Sequence, residues 1–147
     1  MEATSKYIVF QLNNERFAIN IQQVRSIEKV PELTSMPQMP VSMKGIFELR
    51  GKITPVIDLK EKLEMGTTEQ QADTRVLILT IDQEQVGTIV DRATEVIDLN
   101  DDEIEEPPGM ISGVHKEYIT GVAHYEEKLL VLLDLDRVIH FEELNIV

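Results

Sequence analysis

The chain has no cysteine. Disulfides and thiolate metal centres are therefore excluded, and the absence suits a reducing compartment. Tryptophan is also missing and aromatics make up 5% of the residues. The apolar content rests instead on Val, Ile and Leu, a composition that favours sheets. No apolar run approaches the roughly 20 residues needed to span a bilayer, so direct membrane insertion is not expected. The opening Met1-Glu2-Ala3-Thr4-Ser5 lacks the basic start and apolar run of a signal peptide. Basic residues are scarce, 14 Lys and Arg against 27 Asp and Glu, for a formal charge of −13. That balance argues against nucleic acid and against anionic membrane surfaces, and leaves room for a partner with a basic patch.

What the chain does have is internal repetition. Gly45–Leu59 returns 76 positions later as Gly121–Leu135. Both copies read Gly, apolar, a mixed stretch, Lys, apolar, then two apolar residues before Asp-Leu. A second echo, at a spacing of 69, aligns Lys6–Leu12 with Arg75–Ile81. It continues without a gap, placing Phe17, Ile21, Val24, Ile27 and Val30 on Val86, Val90, Ala93, Val96 and Leu99. Self-similarity at a fixed spacing marks a repeated supersecondary unit. At 147 residues the chain makes one domain or two small lobes around a shared core. Such a length buries roughly 70% of the unfolded surface, enough without staples.

The first copy begins with Lys6–Leu12, the Asn13-Asn14 turn and an alternating run through Ile21, together a hairpin. Ile21, Val24 and Ile27 then recur every three residues, which predicts one helical turn or a bent strand. Residues 31–44 form a loop broken by Pro31, Pro37 and Pro40. Met36, Met39 and Met43 in that loop are expected to cap a core rather than form an adaptable binding surface. Gly45–Leu59 is a second hairpin with Arg50-Gly51-Lys52 at its tip. Pro55 has no backbone donor, which predicts an edge or bulged strand. Residues 64–73 are polar and aperiodic and read as a linker. The second copy has turns at Asp82-Gln83-Glu84-Gln85 and at Glu126-Glu127-Lys128. Residues 136–147, with Val138, Ile139, Phe141 and Leu144, predict a short closing helix with Asp136 as N-cap. The expected fold is all-β: two small barrels packed together, their lobes spanning about 5–63 and 74–135, with terminal strands free to exchange.

No constellation for catalysis stands out. Asp98–Glu103 resembles the start of a calcium loop, yet Glu103 stands where Gly is required and Gly109 where a bidentate Glu is required. A solvated acidic face is the better reading. His115, His124 and His140 show no metal-ligand spacing. Asp58 and Asp134 occupy equivalent repeat positions. Carboxylate-dependent hydrolysis is the enzyme alternative they offer; capping the next turn explains their repetition better. Arg50 is conspicuous at a hairpin tip of an acidic chain, either as a docking contact or as an intramolecular anchor. The second copy has Glu126 there, so the repeat itself does not require Arg.

Gly45-Ile46-Phe47-Glu48-Leu49-Arg50-Gly51 followed by Pro55-Val56-Ile57-Asp58-Leu59 resembles the signature of the chemotaxis coupling protein family CheW. Val86-Gly87-Thr88-Ile89-Val90-Asp91, Val96, Thr120-Gly121-Val122-Ala123 and the opening Tyr7-Ile8-Val9-Phe10 with Phe17-Ala18-Ile19 resemble its other blocks. The similarity runs from about residue 5 to 140. It departs at Glu48, where Asn is usual, and at Ser26, where Glu is frequent. The resemblance implies two five-stranded barrels of Src-homology-3 type with an apolar layer between them. It also implies no enzymatic activity and no cofactor, and a cytoplasmic adaptor, monomeric on its own. Such adaptors link transmembrane chemoreceptors to the regulatory domain of the histidine kinase CheA. The receptor's helical hairpin tip is expected to dock between the barrels, at positions matching Val24, Ile27, Gly45, Arg50, Gly87 and Val96. The kinase is expected at an exposed barrel end. A related CheV-like adaptor carries an added receiver domain; the chain's end at Val147 favours the simpler form.

Overall fold

The computed structural model describes residues 3–107 and 113–139. In chain order its elements are β1 (Thr4–Leu12), β2 (Glu15–Asn20), β3 (Val24–Lys29), β4 (Met43–Leu49), β5 (Lys52–Asp58) and α1 (Leu59–Lys62). The second half holds β6 (Arg75–Ile81), β7 (Glu84–Val90), β8 (Arg92–Asn100), β9 (Ile119–Tyr125), β10 (Lys128–Leu133) and α2 (Leu135–Val138). The segment predicted as a turn or bent strand is both: Ile21–Gln23 forms a 3-10 turn, and β3 follows it.

The strands form two five-stranded sheets, in the orders β8-β1-β2-β10-β9 (sheet A) and β3-β6-β7-β5-β4 (sheet B). Each sheet takes two hairpins, one from each repeat, and borrows its remaining edge strand from the repeat whose closing hairpin it holds. A short parallel ladder joins the hairpins: β2 to β10 through Phe17↔Val131, and β5 to β7 through Val56↔Gly87. The chain therefore crosses between sheets at β2–β3 and again at β7–β8.

All four hairpins turn on two residues with positive φ: Asn13-Asn14, Arg50-Gly51, Asp82-Gln83 and Glu126-Glu127. Left-handed turns of this kind match the right-handed strand twist. Tight pairing also makes three of the tips shorter than predicted, with Lys52, Glu84 and Lys128 already in strands.

Burial explains the long apolar runs. On β1, Ile8, Phe10 and Leu12 face a core shared by the sheets, while Val9 faces a separate core inside sheet A. On β6, Leu77, Leu79 and Ile81 face the shared core, and Val76 and Ile78 a third cluster inside sheet B. Strands buried on both faces need apolar residues at every position rather than at alternate ones. Phe10 and Phe17 stack in the shared layer with ring centroids 6.0 Å apart. Met43 is buried there and Met39 packs against it, so these two methionines do cap the core.

The architecture is Src-homology-3-like, though neither sheet closes as a full barrel ladder. Each curls until one isolated bridge reaches its far edge. In sheet B, the segment after β3 bridges to β4 through Thr34 and Ile46, with both N–H···O distances 2.9 Å. In sheet A, Glu105 and Val122 do the same at 2.8 Å.

Two local expectations need correction. β5 is an interior strand, not an edge, and the irregularity in its ladder with β4 lies on β4, between Met43 and Gly45. Pro55 is tolerated because it opposes Ile46, whose own N–H and C=O turn outward to Thr34, while the ladder to β7 begins only at Val56. The missing donor therefore falls one residue before that ladder starts. The N-cap of α2 is Asp134 rather than Asp136: its Oδ1 accepts from Asp136 N at 3.1 Å. Among the described residues the helical part is Leu135–Val138; residues 140–147 of the expected closing helix, including His140, lie outside them.

Candidate docking surfaces

The two repeated aspartates are structural. Asp58 Oδ1 accepts from Lys60 N at 3.1 Å and from Thr68 Oγ1 at 2.7 Å, and Oδ2 accepts from Thr68 N at 2.7 Å. It caps α1 and pins the 64–73 segment at once. Asp134 caps α2 and faces Arg137 Nε at 3.4 Å. The acidic 98–103 stretch is a strand end running into a 3-10 turn. Asn100 N donates to Glu103 Oε1 at 2.8 Å, and Asp98 pairs on the surface with Lys6 at 2.9 Å. Among the described residues no group of three or more His, Cys, Asp or Glu is arranged to hold a metal ion.

Exposed large apolar residues show a pattern. Ile27 (42% exposed) and Val96 (52%) are equivalent in the repeat. They lie on β3 and β8, each an edge strand and each directly after a crossing between sheets. Ile53 (69%) and Leu129 (43%) form a second equivalent pair, near the starts of β5 and β10. Val41, in the proline-rich loop, has no such counterpart.

The six predicted positions divide by depth. Ile27 and Val96 present side chains to solvent. Val24 is partly buried against the shared core. Gly45 and Gly87 are buried. At Gly45 φ is +151°, and a Cβ would sit 2.8 Å from Thr34 O and 2.9 Å from Leu33 Cβ. Only glycine admits the bridge between Thr34 and Ile46. Gly121, its repeat equivalent, leaves room for the corresponding bridge in sheet A, where a Cβ would overlap Ile104 Cγ2. Gly87 lies in the interior strand β7, where a Cβ would meet Val76 Cγ1 at 2.7 Å.

Arg50 stands at the tip beyond β4, with Nη2 3.6 Å from Glu28 Oε2 on β3. Its pairing spans the two edges of sheet B. Sheet A has a counterpart in Tyr125 of β9, whose hydroxyl donates to Glu95 Oε2 of β8 at 2.9 Å. That hydrogen bond, burial, and the charges of Glu95 and Glu126 push the Tyr125 phenol up to about 12. Ser26, the repeat equivalent of Glu95, has a buried Oγ without a hydrogen-bond partner among the described residues. The departure at Ser26 thus removes a carboxylate from sheet B that sheet A uses.

Sequence reasoning missed Ile53 and Leu129. Both lie inside the aligned repeat as matched apolar residues, with nothing in the pattern to mark them as exposed. Only the structure shows why Ile53 is exposed: Thr54 is buried, its Oγ1 accepting from Gln85 Nε2 at 2.8 Å. Alternation on β5 then turns its neighbour Ile53 to the other face. A cleft of about 450 Å³ between residues 40–42, 61–64 and 113–118 is lined by none of the six predicted positions.

Among the described residues no helix is long and apolar enough to cross a membrane. The model of the CheW-like domain matches residues 6–143. A chemotaxis protein CheW of Bacillus subtilis (strain 168) is 37% identical over 140 residues, covering 93% of this chain and 88% of that protein. One from Klebsiella aerogenes is 31% identical over 142 residues, covering 97% and 86%. The crystal structure of the scaffolding protein TtCheW from Thermoanaerobacter tengcongensis superposes with a TM-score of 0.86 at 31% identity, over 96% of this chain and 91% of that one. With the duplicated sheets, the glycine-dependent bridges and this coverage together, the chain belongs to the CheW family of chemotaxis scaffold proteins.

Proposed function

We propose that the protein is a non-enzymatic, cytoplasmic adaptor that couples chemoreceptors to the histidine kinase CheA, and that it is a monomer until its partners gather it. The observation that carries the docking half of this reading is the pair Ile27 and Val96. Two exposed apolar side chains, on edge strands of different sheets, offer an amphipathic helix a place to lay its apolar face. Val24, on the same strand as Ile27, packs against the shared core, Arg50 reaches Glu28 next to Ile27, and Gly45 and Gly87 hold close packing within sheet B. The kinase takes a different surface, at a barrel end. Ile53 and Leu129, beside hairpin tips, are the exposed apolar residues available there. Reversible signalling contacts of this type suit interfaces near or below ~1,600 Å².

The test is a chemical-shift map of the isotope-labelled protein titrated with a receptor hairpin-tip fragment, repeated with the CheA regulatory domain present. Expected are shifts centred on β3 and β8 for the hairpin, shifts elsewhere for the kinase domain, and a ternary complex. Shifts confined to the 40–42, 61–64 and 113–118 cleft, or no binding of either partner, would overturn the reading.

A further inference from the structure

Lys60 is 7% exposed, the one buried cation among the described residues. Its ammonium donates to Asn13 Oδ1 at 3.0 Å and to Asp91 Oδ2 at 3.2 Å, with Asp91 Oδ1 3.1 Å away. Asn13 in turn donates its backbone N–H to Asp91 Oδ2 and its side-chain amide to Met65 O, both at 2.8 Å. The three residues come from distant parts of the chain. Asn13 is in the β1–β2 turn of sheet A. Lys60 is in α1, directly after β5 of sheet B. Asp91 is the single residue between β7 and β8, where the chain leaves sheet B for sheet A.

The repeat shows that the fold does not require this clasp. The positions equivalent to Asn13, Lys60 and Asp91 are Asp82, Asp136 and Gln22. No cation stands among them. Burial and the charges of Asp134 and Asp82 raise the Asp136 carboxyl above its ordinary value. The same supersecondary unit thus forms at the second seam without a buried ion pair. Buried pairs are in general poor stabilisers compared with apolar packing, and their best-attested use is to select one arrangement over others.

We propose that Lys60 is a positioning residue: by tying the β7–β8 crossing to β5 and to the β1–β2 turn, it fixes the angle between the sheets. That angle sets the spacing between Ile27 on β3 and Val96 on β8. The role in docking rests on the adaptor reading above; the geometric role does not. The unclasped β2–β3 crossing leaves the opposite wall free to adjust to the bound helix.

The absence of native cysteine makes the geometry measurable with two introduced labels. Nitroxides at Lys52→Cys and Lys128→Cys, equivalent exposed positions on the two sheets, report inter-sheet distance by double electron–electron resonance. The parent should give one narrow distribution. Lys60→Met should broaden it, and Asp91→Asn, which keeps shape and removes the charge, should broaden it less. A core variant, Ile78→Val, should lower the melting temperature without changing the width. Affinity for a receptor hairpin-tip fragment should fall at least about fivefold in Lys60→Met, with binding of the CheA regulatory domain retained. Distributions that superpose with the parent in both clasp variants overturn the proposal. Broadening without loss of hairpin affinity overturns the link to docking. A parent that fails to bind the hairpin at all instead sinks the adaptor reading, and is told apart by that control.

Discussion

Gly87→Ala offers a close test of how this fold is packed. The added methyl carbon would sit 2.7 Å from Val76 Cγ1, 3.3 Å from Val56 Cγ2 and 3.5 Å from Ile78 Cδ1. β7 is hydrogen-bonded on one side to β6 and on the other to β5, so its backbone has little freedom to retreat. Overpacking of this kind costs about 1–3 kcal/mol. Taking ~2 kcal/mol, and about 2–4 °C per kcal/mol for a chain of this size, the melting temperature should fall by about 4–8 °C. Val76→Ala removes the obstructing Cγ1 and should itself cost about 2 kcal/mol, as a buried valine loses two methyl groups. In the double variant the new methyl occupies space that Val76 vacated. The combined loss should be about 2 rather than about 4 kcal/mol, a favourable coupling of about 2 kcal/mol. Urea melts followed by far-UV circular dichroism measure this in a chain without tryptophan. Losses that add to within about 0.5 kcal/mol would refute the steric argument. Hairpin affinity supplies a second arm. Stability regained in the double variant with binding still lost would refute the placement of Gly87 behind the surface.

Replacing Asp82-Gln83 with Asn-Gly should raise stability by about 1 kcal/mol, since both positions have positive φ and L residues are strained there; an unchanged thermal melt would contradict the turn assignment. Arg50→Ala should cost no more than about 1 kcal/mol, because the pair with Glu28 is half exposed at 3.6 Å, yet it should weaken hairpin binding. A sharp drop in the melt with normal binding would make Arg50 an anchor only. Tyr125 should ionise late in an ultraviolet titration, near pH 12, and Tyr125→Phe should delete that late step. Because the folded phenol holds its proton above the ordinary value of 10, its contribution to stability is fully present below about pH 10 and is lost as pH rises toward 12. Glu95→Gln should bring the step back toward 10; a late step that persists would mean burial, not the hydrogen bond, dominates.

Much of the architecture was legible in the residues. The duplication, the four hairpins and the capping role of Asp58 and Asp134 follow from local patterns, because turn chemistry and apolar runs act over a few residues. The family signature is also local, and it named the pair Ile27 and Val96, which the fold leaves exposed. Met39 and Met43 read correctly as core because a loop over a barrel end has little else to cover.

The rest was decided in three dimensions. Strands buried on both faces carry no alternation to say which sheet they join, so the distribution of repeats between sheets A and B is invisible in the sequence. The interior place of β5 depends on a ladder to β7 that starts one residue beyond Pro55, a matter of register between strands 31 positions apart. Ile53 and Leu129 look like core because they match each other in the repeat, and only the extent of each curled sheet leaves them uncovered. Lys60, Asn13 and Asp91 carry no shared motif. They meet because two crossings of the chain bring a turn, a capped helix and a junction to one point, where a buried ammonium must find oxygen partners wherever the fold supplies them.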